Sequence, residues 1–310
     1  MTEFAHTACL GAGVIGASWT ALFLASGRSV AVHDPAPGAE KAVRDYVETA
    51  WPALESLGLT ANGNPDAVTF HSSAAEAVAG AGFVQENVPE RVAVKHAVFA
   101  EIEPALDAQA IVASSASGLT LGQMQAGWRD PTRFVLGHPF NPPHLVPLVE
   151  VMGNDRTAPG VEDAAAAFYE AVGKTTIRVR REVPGHVANR LQAAIWREAI
   201  HLVTSGVASV EDVDKAVSAG PGLRWAAMGP TTLFSLGAGP EGLAAFCAHF
   251  KDTFNGWWAD MGQVWLDEAT IAQMVEGARA AAHGQSHAEM SARRDAMIVA
   301  LQKALRDLET

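Results

Sequence analysis

The stretch 137–150, GHPFNPPHLVPLVE, holds the residues best suited to moving a proton. His138 leaves an apolar run (Phe134, Val135, Leu136), and a second apolar run ends on the carboxylate of Glu150. Prolines 139, 142 and 143 fix φ and remove backbone donors, so the chain between is expected to form a rigid, non-helical bend. A histidine works as a general base when its ring is held in one tautomer, and a carboxylate holds it best. Linear order alone does not bring Glu150 back onto His138. A carboxylate inside LVPLVEV nevertheless demands a partner, because an apolar strand offers it no solvation.

A second constellation lies at 8–34, ACLGAGVIGASWTALFLASGRSVAVHD. A short apolar strand runs into Gly11-Ala12-Gly13-Val14-Ile15-Gly16, a helical pattern follows, Gly27 ends it, and a second strand closes on Asp34. This is a dinucleotide-binding order. Gly11 permits the tight turn, Gly13 lets the backbone approach a pyrophosphate, and Gly16 lets helix pack on strand. The pyrophosphate is expected at the helix N-terminus. Asp34 would bond the ribose hydroxyls and repel a 2′-phosphate, and no arginine immediately follows it, which favours NAD over NADP.

These sites need a scaffold, and size allows two domains in 310 residues with 49% apolar content. A formal charge of −12 excludes a general nucleic-acid partner, which requires basic surface. No apolar run is long enough for a membrane span, and residues 1–10 carry no charged stretch leading into a greasy one, so a cytoplasmic protein is expected. Two distant cysteines, Cys9 and Cys247, give neither a disulfide framework nor metal-ligand spacing.

Strands and helices alternate as far as about residue 180. A helix is expected over 36–58, kinked or divided by Pro52, with further strands near 68–71, 82–85, 110–113, 134–137 and 175–179. Alternation gives a doubly wound, mostly parallel α/β sheet with its ligands at the strands' carboxyl ends. The loops at 11–16, 86–90, 114–118 and 138–143 all leave from that edge. Beyond Pro184-Gly185 only helical patterns appear, including a start signal at Ser209-x-x-Asp212. The expected division is 1–183 for the nucleotide domain and 184–310 for an all-helical second domain.

The chain resembles the 3-hydroxyacyl-CoA dehydrogenase superfamily over essentially its full length. GAGVIG with Asp34, ENVPERVAVK at 86–95, SSASGL at 114–119, GHPFNPPHLVPLVEV at 137–151 and PGHVANRL at 184–191 carry the resemblance, in family order and spacing. It implies a Rossmann-type fold, NAD as cofactor, His138 as catalytic base and Glu150 as the carboxylate that orients it. Ser117 and Asn189 are implied to bond the substrate's reacting oxygen. Glu90, Lys95, Ser117 and Asn141 are implied at the nicotinamide half of the cofactor pocket, with Gly11, Gly13, Val14, Ile15, Gly16 and Asp34 on the rest. Read without the family, Ser117 and Asn189 are cap or turn residues and Lys95 a solvated charge.

Residues 40–64 hold only Lys41 and Arg44 as cations, poor equipment for the 3′-phosphate of a CoA nucleotide. That departure, with GLRWAAMGP at 222–230, is closer to the CoA-independent branch, which includes L-carnitine dehydrogenases and the lambda-crystallin (L-gulonate 3-dehydrogenase) type. Aromatic faces bind a quaternary ammonium well, so Trp225, Trp257 and Trp258, with Trp196, are candidate substrate residues. The alternative reading makes most of these tryptophans core or interface residues. The expected reaction is oxidation of an L-3-hydroxy acid, foremost L-carnitine. A 3-hydroxyacyl-CoA, a sugar acid of the L-gulonate type, or a crystallin-like structural protein that only binds NAD are the alternatives. The apolar stripes of the helical domain lead to an expected homodimer.

Overall fold

The computed structural model describes residues 4–309. Strand β1 (His6–Leu10), helix α1 (Val14–Ala25) and strand β2 (Ser29–His33) form the first β-α-β unit. There follow α2 (Ala39–Ser56), β3 (Val68–Phe70), α3 (Ala74–Val78), β4 (Phe83–Glu86), α4 (Val92–Ile102), β5 (Ile111–Ser114) and α5 (Leu121–Gln125). The last strands are β6 (Phe134–Pro139), β7 (Leu148–Met152) and β8 (Thr175–Arg178), with α6 (Val161–Ala171) between the latter two. They make one eight-stranded sheet in the order β3-β2-β1-β4-β5-β6-β7-β8.

Strands β1 to β6 pair in parallel. Their nearly continuous apolar content suits a sheet covered on both faces, and two apolar clusters flank it. One gathers Trp19, Phe23, Phe83, Phe168 and Tyr169. The other gathers Phe99, Met124, Trp128 and Phe134. The exception to the parallel order is β7, which turns back antiparallel on β6 and pairs Glu150 directly opposite His138.

Helix α2 runs unbroken through Pro52, contrary to the expected kink or division. Both Pro52 and Glu48, whose carbonyl loses its donor to the proline, are exposed, so water can take the bond the ring removes.

Two compact units emerge: residues up to 188 together with 294 onward, and residues 189–293. The second holds most of α7 (Ala188–Thr204), then α8 (Val210–Ala219), α9 (Pro221–Ala227), α10 (Pro230–Gly237), α11 (Gly242–Asp260), α12 (Glu268–Ala281) and the start of α13 (His287–Glu309). Its core is small, built on Val203, Val210 and Val213. The end of α13 packs with the first unit, because Val299 is buried with Leu57 and Leu145 and the Gln302 amide donates to the Leu145 carbonyl. The sequence placed that whole helix with the second domain.

Gly137, immediately before His138, is a packing requirement. A Cβ there would lie 2.0 Å from the Tyr169 hydroxyl, which itself donates to the Gln85 side chain at 2.6 Å. Gly137→Ala is expected to destabilise the protein by about 1–3 kcal/mol through overpacking, read as a lowered melting temperature.

Candidate active site

The centre of the site is the cross-strand pair. His138 Nδ1 lies 2.7 Å from Glu150 Oε2, with His138 5% exposed and Glu150 fully buried. The other carboxylate oxygen, Oε1, accepts the Val187 and Ala188 amides at 2.9 Å each. Burial pushes the Glu150 carboxyl up, but the bonds from His138, Ala188 and Val187 outweigh it and hold the group below the ordinary carboxylate range. An ionised Glu150 accepts, so Nδ1 of His138 carries the hydrogen and Nε2 is left as a proton acceptor.

Beside this pair, the loops after β4 and β5 are locked together. The Glu90 carboxylate accepts the Ser117 amide, the Ser117 hydroxyl at 3.0 Å and the Gly118 amide at 3.1 Å. Burial raises the Glu90 carboxyl, and the two backbone donors with the hydroxyl more than offset this, so its pKa is lowered. Ser117, expected as a donor to substrate, thus has its one hydroxyl hydrogen on Glu90.

Lys95 is no solvated charge. It is 1% exposed, and its ammonium donates to both oxygens of buried Glu86 at 2.6 and 2.8 Å and to the Val88 carbonyl at 3.1 Å. All three of its hydrogens are committed, so it acts on the 86–90 loop from beneath. Asn141 is exposed in the proline-rich bend, and Asn189 stands in the first turn of α7.

The glycine-rich loop fits a dinucleotide. Gly11 has φ +82° and a Cβ there would meet the Asn87 carbonyl at 2.7 Å, while a Cβ on Gly16 would meet the Gly11 carbonyl at 1.8 Å. Around Gly13 the space is open, and α1 starts there with no side-chain cap, leaving its first amides for an anion. Val14 is 61% exposed at this helix start, and Ile15 is partly buried. Asp34 is anchored by the Ala12 and Ala36 amides at 2.6 and 2.8 Å. Beyond it opens a groove of about 650 Å³ lined by Asp34, Arg44, Phe70 and His71 among others. Arg44 lies over the Phe70 ring at 5.0 Å and pairs with Glu40 at 2.9 Å, both side chains half-exposed.

Two buried residues that sequence reasoning missed hold the bend between His138 and Glu150. The Lys174 ammonium donates to the carbonyls of Pro143 and, at 2.6 Å, Val146, and sits 5.0 Å from the Trp19 ring centre. Burial lowers its pKa to about 7. The His144 amide donates to the Ser18 hydroxyl at 2.9 Å, and the same hydroxyl lies 2.9 Å from His144 Nδ1, fastening the bend to α1. His144 was visible within the quoted motif but had no pattern to mark it. Lys174 follows Gly173 with no signal at all. Among the described residues, no cluster could hold a metal ion.

A model described as the NAD binding domain of 3-hydroxyacyl-CoA dehydrogenase matches residues 6–183, and one described as its C-terminal domain matches 185–274. The chain belongs to the 3-hydroxyacyl-CoA dehydrogenase family. It is an NAD-dependent oxidoreductase. A similar relative is the L-carnitine dehydrogenase of Streptomyces griseus, 46% identical over 299 residues, spanning 96% of this chain and 89% of the relative. That of a Pseudomonas species is 42% identical over 305 residues, spanning 98% and 95%. Among solved structures, 5-formyl-3-hydroxy-2-methylpyridine 4-carboxylic acid 5-dehydrogenase, described as an NAD+-dependent dismutase, superposes with a TM-score of 0.83 at 29% identity. It spans 98% of this chain and 99% of that one. A 3-hydroxyacyl-CoA dehydrogenase from Archaeoglobus fulgidus shares the fold, at a TM-score of 0.64 and 22% identity over 98% of this chain and 99% of that one.

His144 supplies a pH test of the bend in this family member. Burial first, then the charges of Lys174 and Arg294, lower its pKa from 6.5 to about 4, with Asp295 opposing. Below the ordinary value the unfolded chain takes up a proton that the folded chain refuses, so folding stability falls as the pH drops from 6.5 toward 4. In His144→Asn, denaturant titrations at several pH values should show that part of the decline flattened.

Proposed function

We propose that this enzyme oxidises L-carnitine, or a close CoA-free L-3-hydroxy acid, to the 3-oxo acid with NAD+. The observation that carries the chemistry is the buried His138–Glu150 pair at the carboxyl edge of the sheet. NAD+, when bound, supplies the hydride acceptor. His138 takes the hydroxyl proton at Nε2 as the carbonyl forms, and the adjacent Glu150 carboxylate stabilises the imidazolium. Ser117 leaves Glu90 to donate to the substrate oxygen, with Asn189 as the second donor.

The substrate assignment is supported by the L-carnitine dehydrogenases at 38–46% identity over nearly the whole chain. The cations available on α2 support it as well. Lys41 and Arg44 are the only cations of residues 40–64, and each has a carboxylate one helical turn away, Asp45 at 2.5 Å and Glu40 at 2.9 Å, which weakens the local field a CoA phosphate would meet. Trp225, Trp257 and Trp258 remain the proposed aromatic face for the trimethylammonium group. Trp257 and Trp258 both touch the Phe254 ring, at 5.0 and 5.7 Å between centres.

The enzyme is further proposed to be a cytoplasmic homodimer. Among the described residues no helix is long and apolar enough to cross a membrane. Apart from the proposed substrate face, Leu191, Ile195, Trp196, Leu223, Leu236 and Trp265 of the helical unit are between 39% and 82% exposed, apolar side chains that a second copy would cover. Light scattering should give the mass of two chains.

NADH absorbance should rise with NAD+ and L-carnitine at mildly alkaline pH, and far less with L-gulonate, 3-hydroxybutyrate or 3-hydroxybutyryl-CoA. Turnover of the CoA ester alone would overturn the substrate assignment. His138→Gln should bind NAD+ normally while kcat falls by about 10²–10⁴-fold. Turnover surviving that change would remove His138 as the base.

A further inference from the structure

His186 is unfavourable on two counts at once. Its φ is 49°, in the left-handed region that disfavours any residue bearing a Cβ. Its ring is 3% exposed, and one nitrogen, Nδ1, is buried without a partner. Burial lowers its pKa, with the bond to the Ala116 carbonyl and the nearby Glu150 and Glu90 carboxylates opposing, so the ring stays neutral. Nε2, 3.4 Å from the Ala116 carbonyl, is then the nitrogen that carries the hydrogen and donates.

What the strained turn delivers is seen at Glu150. The His186 amide closes the turn on the Val183 carbonyl at 3.0 Å. The next two amides, of Val187 and Ala188, then converge on Glu150 Oε1 at 2.9 Å each. This leaves Oε2 for His138. A glycine would adopt the same φ freely, but nothing would then hold the turn there. The imidazole supplies that hold: it lies between the Ala116 carbonyl, next to Ser117, and the His138 ring, whose centre is 5.2 Å away.

We propose that His186 is a positioning residue for the catalytic pair. Its buried ring wedges the 184–188 turn in the conformation that aims two amides at Glu150, and thereby fixes the carboxylate that orients His138. The inference rests on the reading of His138 as the base, and names a residue that reading does not use. The wedge acts through shape, so its nitrogens are dispensable.

Two variants separate these properties. His186→Gly relieves the backbone strain and removes the wedge together, so the turn is free to leave the conformation that aims the two amides at Glu150. It should lower kcat by about tenfold or more, since small misplacements at a reacting centre are costly, with KM for NAD+ unchanged. In the same variant, the low-field proton resonance of the His138–Glu150 hydrogen bond should broaden or vanish. His186→Phe keeps the wedge and removes both nitrogens. It should retain the resonance and most of kcat, while its melting temperature reads the balance between losing the orphaned nitrogen and losing the bond to the Ala116 carbonyl. Parental kcat and resonance in His186→Gly would overturn the proposal. So would a folded His186→Phe that loses activity as its glycine counterpart does. An active His138→Gln would instead overturn the reading of the base itself, whatever the His186 variants do.

Discussion

The reach of Glu150 onto His138 depends on strand register. Both residues sit on directly opposed positions of an antiparallel pair, where side chains point to the same face and stand close enough to bond. A slip of one residue would send Glu150 to the other side of the sheet. The enzyme's proton acceptor is therefore set by how residues 140–147 connect β6 to β7. Prolines stiffen that connection, Lys174 ties two of its carbonyls from below, and Ser18 ties His144 to the helix that opens at the glycine-rich loop. The nucleotide half and the proton-transfer half of the site thus share one brace.

Around this pair the carboxyl edge of the sheet is built from buried charges, each fully engaged. Glu86 takes the Lys95 ammonium, the Ser114 hydroxyl at 2.6 Å and the Val88 amide at 2.7 Å. Glu150 takes His138 and two amides. Such carboxylates are costly to bury and tolerable only when every oxygen is satisfied. Their fixed orientation is what a reaction that develops charge requires, because little needs to reorganise when a proton moves onto His138.

The sequence made much of this legible. The β-α-β unit with its three glycines and Asp34 is local, and the structure reproduces it down to the close approach of Gly11 and Gly16. The alternating pattern gave the sheet. Other features depend on long-range packing. Lys95 looks like any helical surface lysine until Glu86 is found buried beneath it, and Pro52 breaks no helix because its turn faces water. Lys174 contacts carbonyls about thirty residues away, and the last helix packs with the first unit through Val299 and Ile298 and through the Gln302 and Arg306 bonds to the Leu145 and Leu57 carbonyls. No periodicity reports contacts of that kind. The strain at His186 was equally hidden, since a left-handed histidine leaves no mark on composition or spacing.

The most direct test of the central claim is kcat for Glu150→Gln across the pH range, with NAD+ binding measured alongside. An amide of the same shape keeps the packing but can present its donor to His138 and select the wrong tautomer. A loss in kcat on the order of 10³–10⁴, with NAD+ affinity unchanged, is the expected result. Turnover within a few fold of the parent would contradict the account, for His138 would then be oriented without Glu150.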